Sequence, residues 1–255
     1  MSTSPTDRYD VLVVGGGPAG ASTSYWLAEA GVRVVCVERK TFPRDKTCGD
    51  GLTPRAVKQL DDMGLYPTLE QYHRYTGLRA VAHGVTLELE WPDHPVFPDH
   101  GFVVRRRDLD EAVFDHATAA GAETHQGTEA VAPIVEGGLV AGAVVKDKAT
   151  GETREIRARY VVIADGANSR FGRALGTARN RSYPLGMAIR TYYESPLHAE
   201  PWIESCLDVR DRNGNSMPGY GWIFPAVSYT HLRAHETSLH LVCRLLLEKK
   251  GWRKS

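Results

Sequence analysis

Gly15, Gly17 and Gly20 stand in G-x-G-x-x-G spacing within Val11-Leu12-Val13-Val14-Gly15-Gly16-Gly17-Pro18-Ala19-Gly20. The first glycine permits a tight turn, and the second lets a pyrophosphate approach bare backbone. The third lets a helix pack closely on a strand. Glu38 lies 18 residues past Gly20, after the apolar run Val34-Val35-Cys36-Val37. A carboxylate there can accept hydrogen bonds from a ribose. These residues are equipped to hold the adenosine-pyrophosphate half of a dinucleotide. The stretch leaves open whether that dinucleotide is FAD or a nicotinamide cofactor.

In a chain with 25 glycines the spacing alone says little, so the elements around it must supply the context. Val11 to Val14 is the short apolar run of a buried parallel strand. A helix follows, offering free N–H groups and a partial positive charge to an anion. Gly31 stands where a helix ends, and the second strand then leads to Glu38.

Further residues able to do chemistry lie downstream. Cys48, Gly49 and Asp50 fall in Thr41–Gly51, a stretch too rich in Gly, Pro and charge to be a core element. It leaves the C-terminal end of the second strand, where ligands bind in open α/β sheets. Beside Lys46, Cys48 reads equally as a reactive thiol or an ordinary loop cysteine. Arg106, between Arg105 and Arg107, is either a forked donor to phosphate or a solvated arginine. Asp165-Gly166 closes the apolar run Tyr160–Ala164, which reads as a second buried strand, and doubles as a simple strand-end turn. Tyr220, Trp222 and Phe224 alternate, so they face one side of a strand and can wall an apolar ligand site.

Between these points the periodicity sets the frame. Thr53-Pro54 reads as an N-cap and first helical position, with Val57, Leu60 and Met63 on the buried face and Gly64 at the end. Leu78, Ala80 and Ala82, then Val85, Leu87, Leu89 and Trp91, alternate as in half-buried antiparallel strands. Phe102-Val103-Val104 is a strand. Asp108 with Glu111 reads as the cap of the next helix, whose apolar face is Leu109, Ala112, Val113 and Ala117. The predicted organisation is α/β: a Rossmann-like nucleotide-binding domain (8–64 and 101–176) with an inserted antiparallel-sheet substrate domain (65–100 and 177–226).

Composition narrows the function classes. The 31 basic and 31 acidic residues cancel, which argues against a nucleic-acid partner. Met1 to Arg8 lacks the apolar core of a secretory signal, and no apolar stretch approaches the roughly 20 residues that span a bilayer. The expected location is cytoplasmic. Cys36, Cys48, Cys206 and Cys243 form neither metal-ligand spacing nor a disulfide framework.

Taken together, the finger, the R-x-x-L-D pattern at Arg106–Asp110 and the strand end Ala-Asp-Gly-Ala-Asn-Ser at Ala164–Ser169 resemble the flavoprotein family that contains the aromatic hydroxylases. PRDKTCGDGLTPRAV (Pro43–Val57) and PGYGWIFP (Pro218–Pro225) resemble its geranylgeranyl reductase branch, most of all the actinobacterial menaquinone reductases. The resemblance covers about residues 9 to 226. It implies FAD as the cofactor, held by Gly15, Gly17, Ala19, Gly20, Glu38, Arg39, Cys48, Gly49, Arg106, Ala130, Asp165 and Gly166. It sets Cys48 and Gly49 beside the isoalloxazine, and Tyr220, Trp222 and Phe224 along a lipid pocket.

The implied reaction saturates double bonds of a polyprenyl chain, with NAD(P)H or another donor reducing the flavin. A proton must reach the far alkene carbon, and Cys48, Asp50 or an ordered water are the candidates. The lipid substrate implies peripheral contact with the inner face of the cell membrane. The rival readings are a flavin monooxygenase and a nucleotide-binding fragment without turnover. The second arises because the family's later Gly-Asp and Pro-x-x-Gly-x-Gly motifs, which hold the ribityl chain and flavin ring, are missing. Instead, Val227–Thr237 and Leu241–Lys250 resemble the in-frame translation of a sequencing-library adapter. Residues 227–255 are therefore expected to be a non-native tail on an incomplete fold.

Overall fold

The computed structural model describes residues 8–177, 182, 186–226, 229–236 and 253–254, the last two segments as backbone only. Its elements are β1 (Arg8–Val14), α1 (Pro18–Glu29), β2 (Val34–Val37), β3 (Gly51–Leu52), α2 (Pro54–Asp62), α3 (Tyr66–Leu69), β4 (His73–Tyr75), β5 (Gly77–Ala82), β6 (Val85–Glu90) and β7 (Gly101–Val103). There follow α4 (Arg106–Ala119), β8 (Glu123–His125), β9 (Thr128–Glu136), β10 (Leu139–Asp147), β11 (Thr153–Ile163), α5 (Arg170–Ala174), β12 (Met187–Glu194), β13 (Trp202–Cys206), β14 (Gly219–Ala226), β15 (Tyr229–Glu236) and β16 (Arg253–Lys254). They fall into two compact units, Met1–Asp45 with Arg107–Arg181, and Lys46–Arg106 with Ser182–Ser255.

The first unit is built on a six-stranded sheet in the order β8-β2-β1-β11-β10-β9. Strands β8, β2, β1 and β11 run parallel, and the hairpins of β9, β10 and β11 add antiparallel partners. Val11 to Val14 and Val34 to Val37 are all buried, as parallel central strands require. Leu12, Val14, Val35 and Val37 join Ala143, Val145, Ile156, Ala158 and Phe171 in one core. Gly31, at φ +73°, ends α1 as expected. On α4, Leu109, Val113 and Ala117 are buried, with Phe114 beside them. Two local expectations fail. Helix α4 starts at Arg106 rather than after Asp108, because a distant side chain supplies its first acceptor: the Arg106 N–H donates to Asp50 Oδ1 at 3.2 Å. The end of β11 is not fully buried either: Tyr160 is 65% exposed, while Val161 is half-buried and packs against the core.

The second unit is a seven-stranded sheet, β16-β12-β15-β14-β13-β5-β6, accompanied by the small sheet β3-β7-β4. Residues 46–64 belong here, so the first domain ends at Asp45 rather than at Gly64. The cause is strand pairing: β3 pairs with β7, which pairs with β4. Val57, Leu60 and Met63 form the buried face expected of α2, although Thr53 makes no side-chain cap bond. The alternation of β6 misleads. Val85, Leu87 and Leu89 are 57%, 55% and 53% exposed, because β6 is the edge strand and no element covers them among the described residues. Part of the stretch set aside as a tail forms backbone pairs here, with β15 lying between β12 and β14. The rest of that stretch, including Leu241–Lys250, lies outside the described residues.

Candidate functional site

In the first unit the finger and its partners gather at the C-terminal ends of the parallel strands. Gly15 follows β1 at φ +103°, and a Cβ on it would come within 2.5 Å of the Ala164 carbonyl oxygen. A Cβ on Gly20 would lie 1.8 Å from the Gly15 carbonyl oxygen, so α1 can approach the turn only with glycine there. Gly17 is different. The nearest atom to its added Cβ is Arg44 Nη2 at 3.4 Å, which leaves the approach side open. No side chain caps the first N–H groups of α1. Uncapped donors beside bare backbone suit a pyrophosphate, so the residues present fit an adenine dinucleotide.

Glu38 is buried and already oriented. Its Oε2 accepts the Gly16 N–H and its Oε1 the Lys40 N–H, each at 2.9 Å. A carboxylate oxygen has a second lone pair, so capacity for ribose hydroxyls remains. Gly16 itself is indispensable for packing: a Cβ there would meet the Phe114 ring at 2.5 Å. Asp165 stands beside Gly15 and uses Oδ2 to accept the Arg170 and Phe171 N–H groups at 3.0 and 3.3 Å. Its Oδ1 is buried without a hydrogen-bond partner, an acceptor that suits a ligand hydroxyl. Gly166, at φ +89°, is exposed. Ala19 and Arg39 are also exposed, while Ala130 on β9 packs against the core. The start of β9 touches the site, since the Thr128 N–H donates to the Glu38 carbonyl at 2.9 Å.

Arg44 was not singled out by its sequence context. Its Nη1 lies 3.1 Å from Oδ2 of the fully buried Asp110, and its guanidinium stands 4.8 Å over the Phe42 ring. Its Nε is buried without a hydrogen-bond partner. The one available signal was the final Asp of R-x-x-L-D, an acid on the apolar face of α4 that needs a cation. Cys36, near the finger, is inert by contrast, since burial pushes its thiol up to about 12.

The second unit brings the other candidates onto one face of its large sheet. The register aligns Leu87, Ala80, Ser205 and Trp222 in a row across β6, β5, β13 and β14. Tyr220, Trp222 and Phe224 lie on that face as the alternation predicts. Trp222 stacks on Phe224 with centroids 5.8 Å apart, and Tyr220 meets Trp222 edge-on at 6.1 Å. The loop carrying Cys48 and Gly49, both half-buried, is seated here: a Cβ on Gly51 would lie 2.6 Å from Phe224 Cε1.

Asp50 is 1% exposed and fully engaged. Its Oδ2 accepts the Tyr192 hydroxyl at 2.9 Å, and its Oδ1 accepts Arg190 Nη1 at 3.4 Å as well as the Arg106 N–H. Burial, and then the Asp50 carboxylate, push the Tyr192 phenol well above its ordinary range. Sequence reasoning missed Arg190 and Tyr192 because they lie 140 and 142 residues beyond Asp50. Of Arg106, half-buried at the start of α4, the bond to Asp50 is made by the main chain.

Comparison with known proteins identifies the family and the fold. A family described as the FAD binding domain matches residues 8–236. The chain is 43% identical over 218 residues to a menaquinone reductase of Mycolicibacterium smegmatis, covering 86% of this chain and 52% of the relative. It is 32% identical over 220 residues to a geranylgeranyl diphosphate reductase of Rhodobacter capsulatus, with the same coverage. The chain thus spans about half the length of the curated relatives it matches. A geranylgeranyl bacteriochlorophyll reductase-like protein of Thermoplasma acidophilum shares the fold, with a TM-score of 0.80 at 22% identity over 98% of this chain and 64% of that one.

Proposed function

Because the chain belongs to the family of the FAD binding domain, we propose that it is part of a reductase that saturates double bonds of a polyprenyl chain. That chain is a geranylgeranyl group or the isoprenoid tail of a menaquinone, as the names of the relatives suggest. One observation carries the reading: Gly51, directly after the loop that carries Cys48 and Gly49, packs against Phe224 on the sheet face that Trp222 shares, so that loop adjoins an apolar surface. When bound, FAD supplies the hydride for one alkene carbon.

The residues of the chain do the rest. Uncapped N–H groups of α1 and the bare face of Gly17 hold the pyrophosphate, Glu38 takes the ribose, and Asp165 offers its free oxygen. The aromatic wall excludes water from an apolar substrate. An isolated alkene is a poor electrophile, so a proton donor is needed. Asp50 already accepts from three donors, which leaves Cys48 the better placed of the two candidates. NAD(P)H or another donor recharges the flavin. The lipid substrate brings the protein to the inner membrane face as a peripheral protein; among the described residues no helix is long and apolar enough to cross a membrane.

The test is anaerobic incubation of the chain with dithionite-reduced FAD and a detergent-dispersed polyprenyl quinone, followed by mass spectrometry. A product whose isoprenoid-chain fragments are heavier by one hydrogen molecule per saturated double bond is expected, beyond the hydrogen molecule that converts the quinone head to the quinol. A hydroxylated product formed only with oxygen would replace this reading by that of a monooxygenase. No product despite bound FAD would leave the nucleotide-binding fragment as the function of this chain.

A further inference from the structure

We propose that Asp50 is an anchor rather than a proton donor, and that Arg190 and Tyr192 of β12 are positioning residues that hold the Cys48–Gly49 loop in place through it. The inference rests on the reading above only in taking that loop as the reactive one.

A carboxylate that is 1% exposed is costly to bury unless donors surround it. Here they come from two separate elements. From β12 come Arg190 Nη1 at 3.4 Å and the Tyr192 hydroxyl at 2.9 Å; from the start of α4 comes the Arg106 N–H at 3.2 Å. Arg190 is itself only 9% exposed on its side chain and also stands 5.1 Å over the Tyr192 ring, so the buried charge of Asp50 faces a buried cation. The Asp50 carbonyl adds a fourth tie, accepting the Val104 N–H at 2.8 Å. Gly51 is wedged against Phe224 one residue on. Residues 50 and 51 are therefore fixed on both sides. Cys48 and Gly49, in a segment outside any strand or helix, take their place from that fixed end.

The experiment follows alkylation of Cys48 by iodoacetamide in the 255-residue chain, resolved peptide by peptide, with buried Cys36 as the internal control. Tyr192→Phe removes one oxygen atom and nothing else. It should speed Cys48 alkylation about fivefold, the worth of one hydrogen bond, with Cys36 still protected. Asp50→Asn should speed it about tenfold or more, since the buried carboxylate charge facing Arg190 is removed. Rates within twofold of wild type in Tyr192→Phe would overturn the proposal, even if Asp50→Asn fails to fold. No substrate is present, so absence of reductase activity in the wild-type chain would sink the proposed function and leave this result standing.

Discussion

Replacing Gly20 and Gly17 separately by alanine should break two different things. At Gly20, inside α1, alanine improves helix propensity by about 1 kcal/mol. The added Cβ, however, would stand 1.8 Å from the Gly15 carbonyl oxygen, which is backbone and cannot swing aside. Overpacking of this kind costs about 1–3 kcal/mol, and forcing a helix off its strand belongs at the upper end. The balance is a loss of about 2 kcal/mol, or about 4–8 °C in Tm for a chain of this size. At Gly17 the nearest atom to an added Cβ among the described residues is the end of the Arg44 side chain, at 3.4 Å. Loss of a good N-cap residue is there offset by reduced freedom of the unfolded chain, so Tm should move by less than about 2 °C. Its new methyl group would nonetheless occupy the open approach to the backbone. Thermal melts without ligand, paired with FAD titration by fluorescence quenching, separate the effects. Gly17→Ala should keep its Tm and lose FAD binding, whereas Gly20→Ala should lose both. A Gly20→Ala protein as stable as wild type, or a Gly17→Ala protein that binds FAD normally, would refute the assignment of the turn.

Three other perturbations probe the surroundings. Arg44→Met removes a counter-charge from the fully buried Asp110 carboxylate and should cost about 3–5 kcal/mol, seen as a large drop in Tm; adding Asp110→Leu should recover much of it. Gly51→Ala forces the Phe224 ring to move and should change the tryptophan emission of the stacked Trp222, with a stability loss of about 1–3 kcal/mol; an unchanged spectrum would contradict the close approach. Burial raises the Cys36 thiol from 9.0 to about 12, so the folded state holds a proton that the unfolded state releases. Stability should therefore be fully present below pH 9 and fall as pH rises from 9 towards 12. Denaturant melts of Cys36→Ala should show a shallower fall over that window.

The parts legible beforehand share one property: neighbouring residues enforce them. The run Val11–Val14, the glycines after it and Glu38 just past β2 make one local unit, so the spacing read with its flanking strand and helix patterns located the turn, the helix and the acid. Alternation placed Tyr220, Trp222 and Phe224 on one face for the same reason. Alternation could not say that β6 would be an edge, because exposure depends on which strand pairs next. Asp108 looked like a cap, and the acceptor that starts α4 came instead from Asp50, 56 residues earlier.

Sequence by itself determined the nucleotide-gripping turn, since its chemistry depends on what glycine lacks and on a strand and helix adjacent in the chain. Tertiary structure alone decided the company that Asp50 keeps. Its three donors come from Arg106, Arg190 and Tyr192, which meet only through sheet register and the approach of one loop to that sheet. A carboxylate in a glycine-rich loop is by type equally an acid, a ligand or an anchor. Which of these it is depends on the donors that surround it when water is excluded, and those are assembled only by the fold.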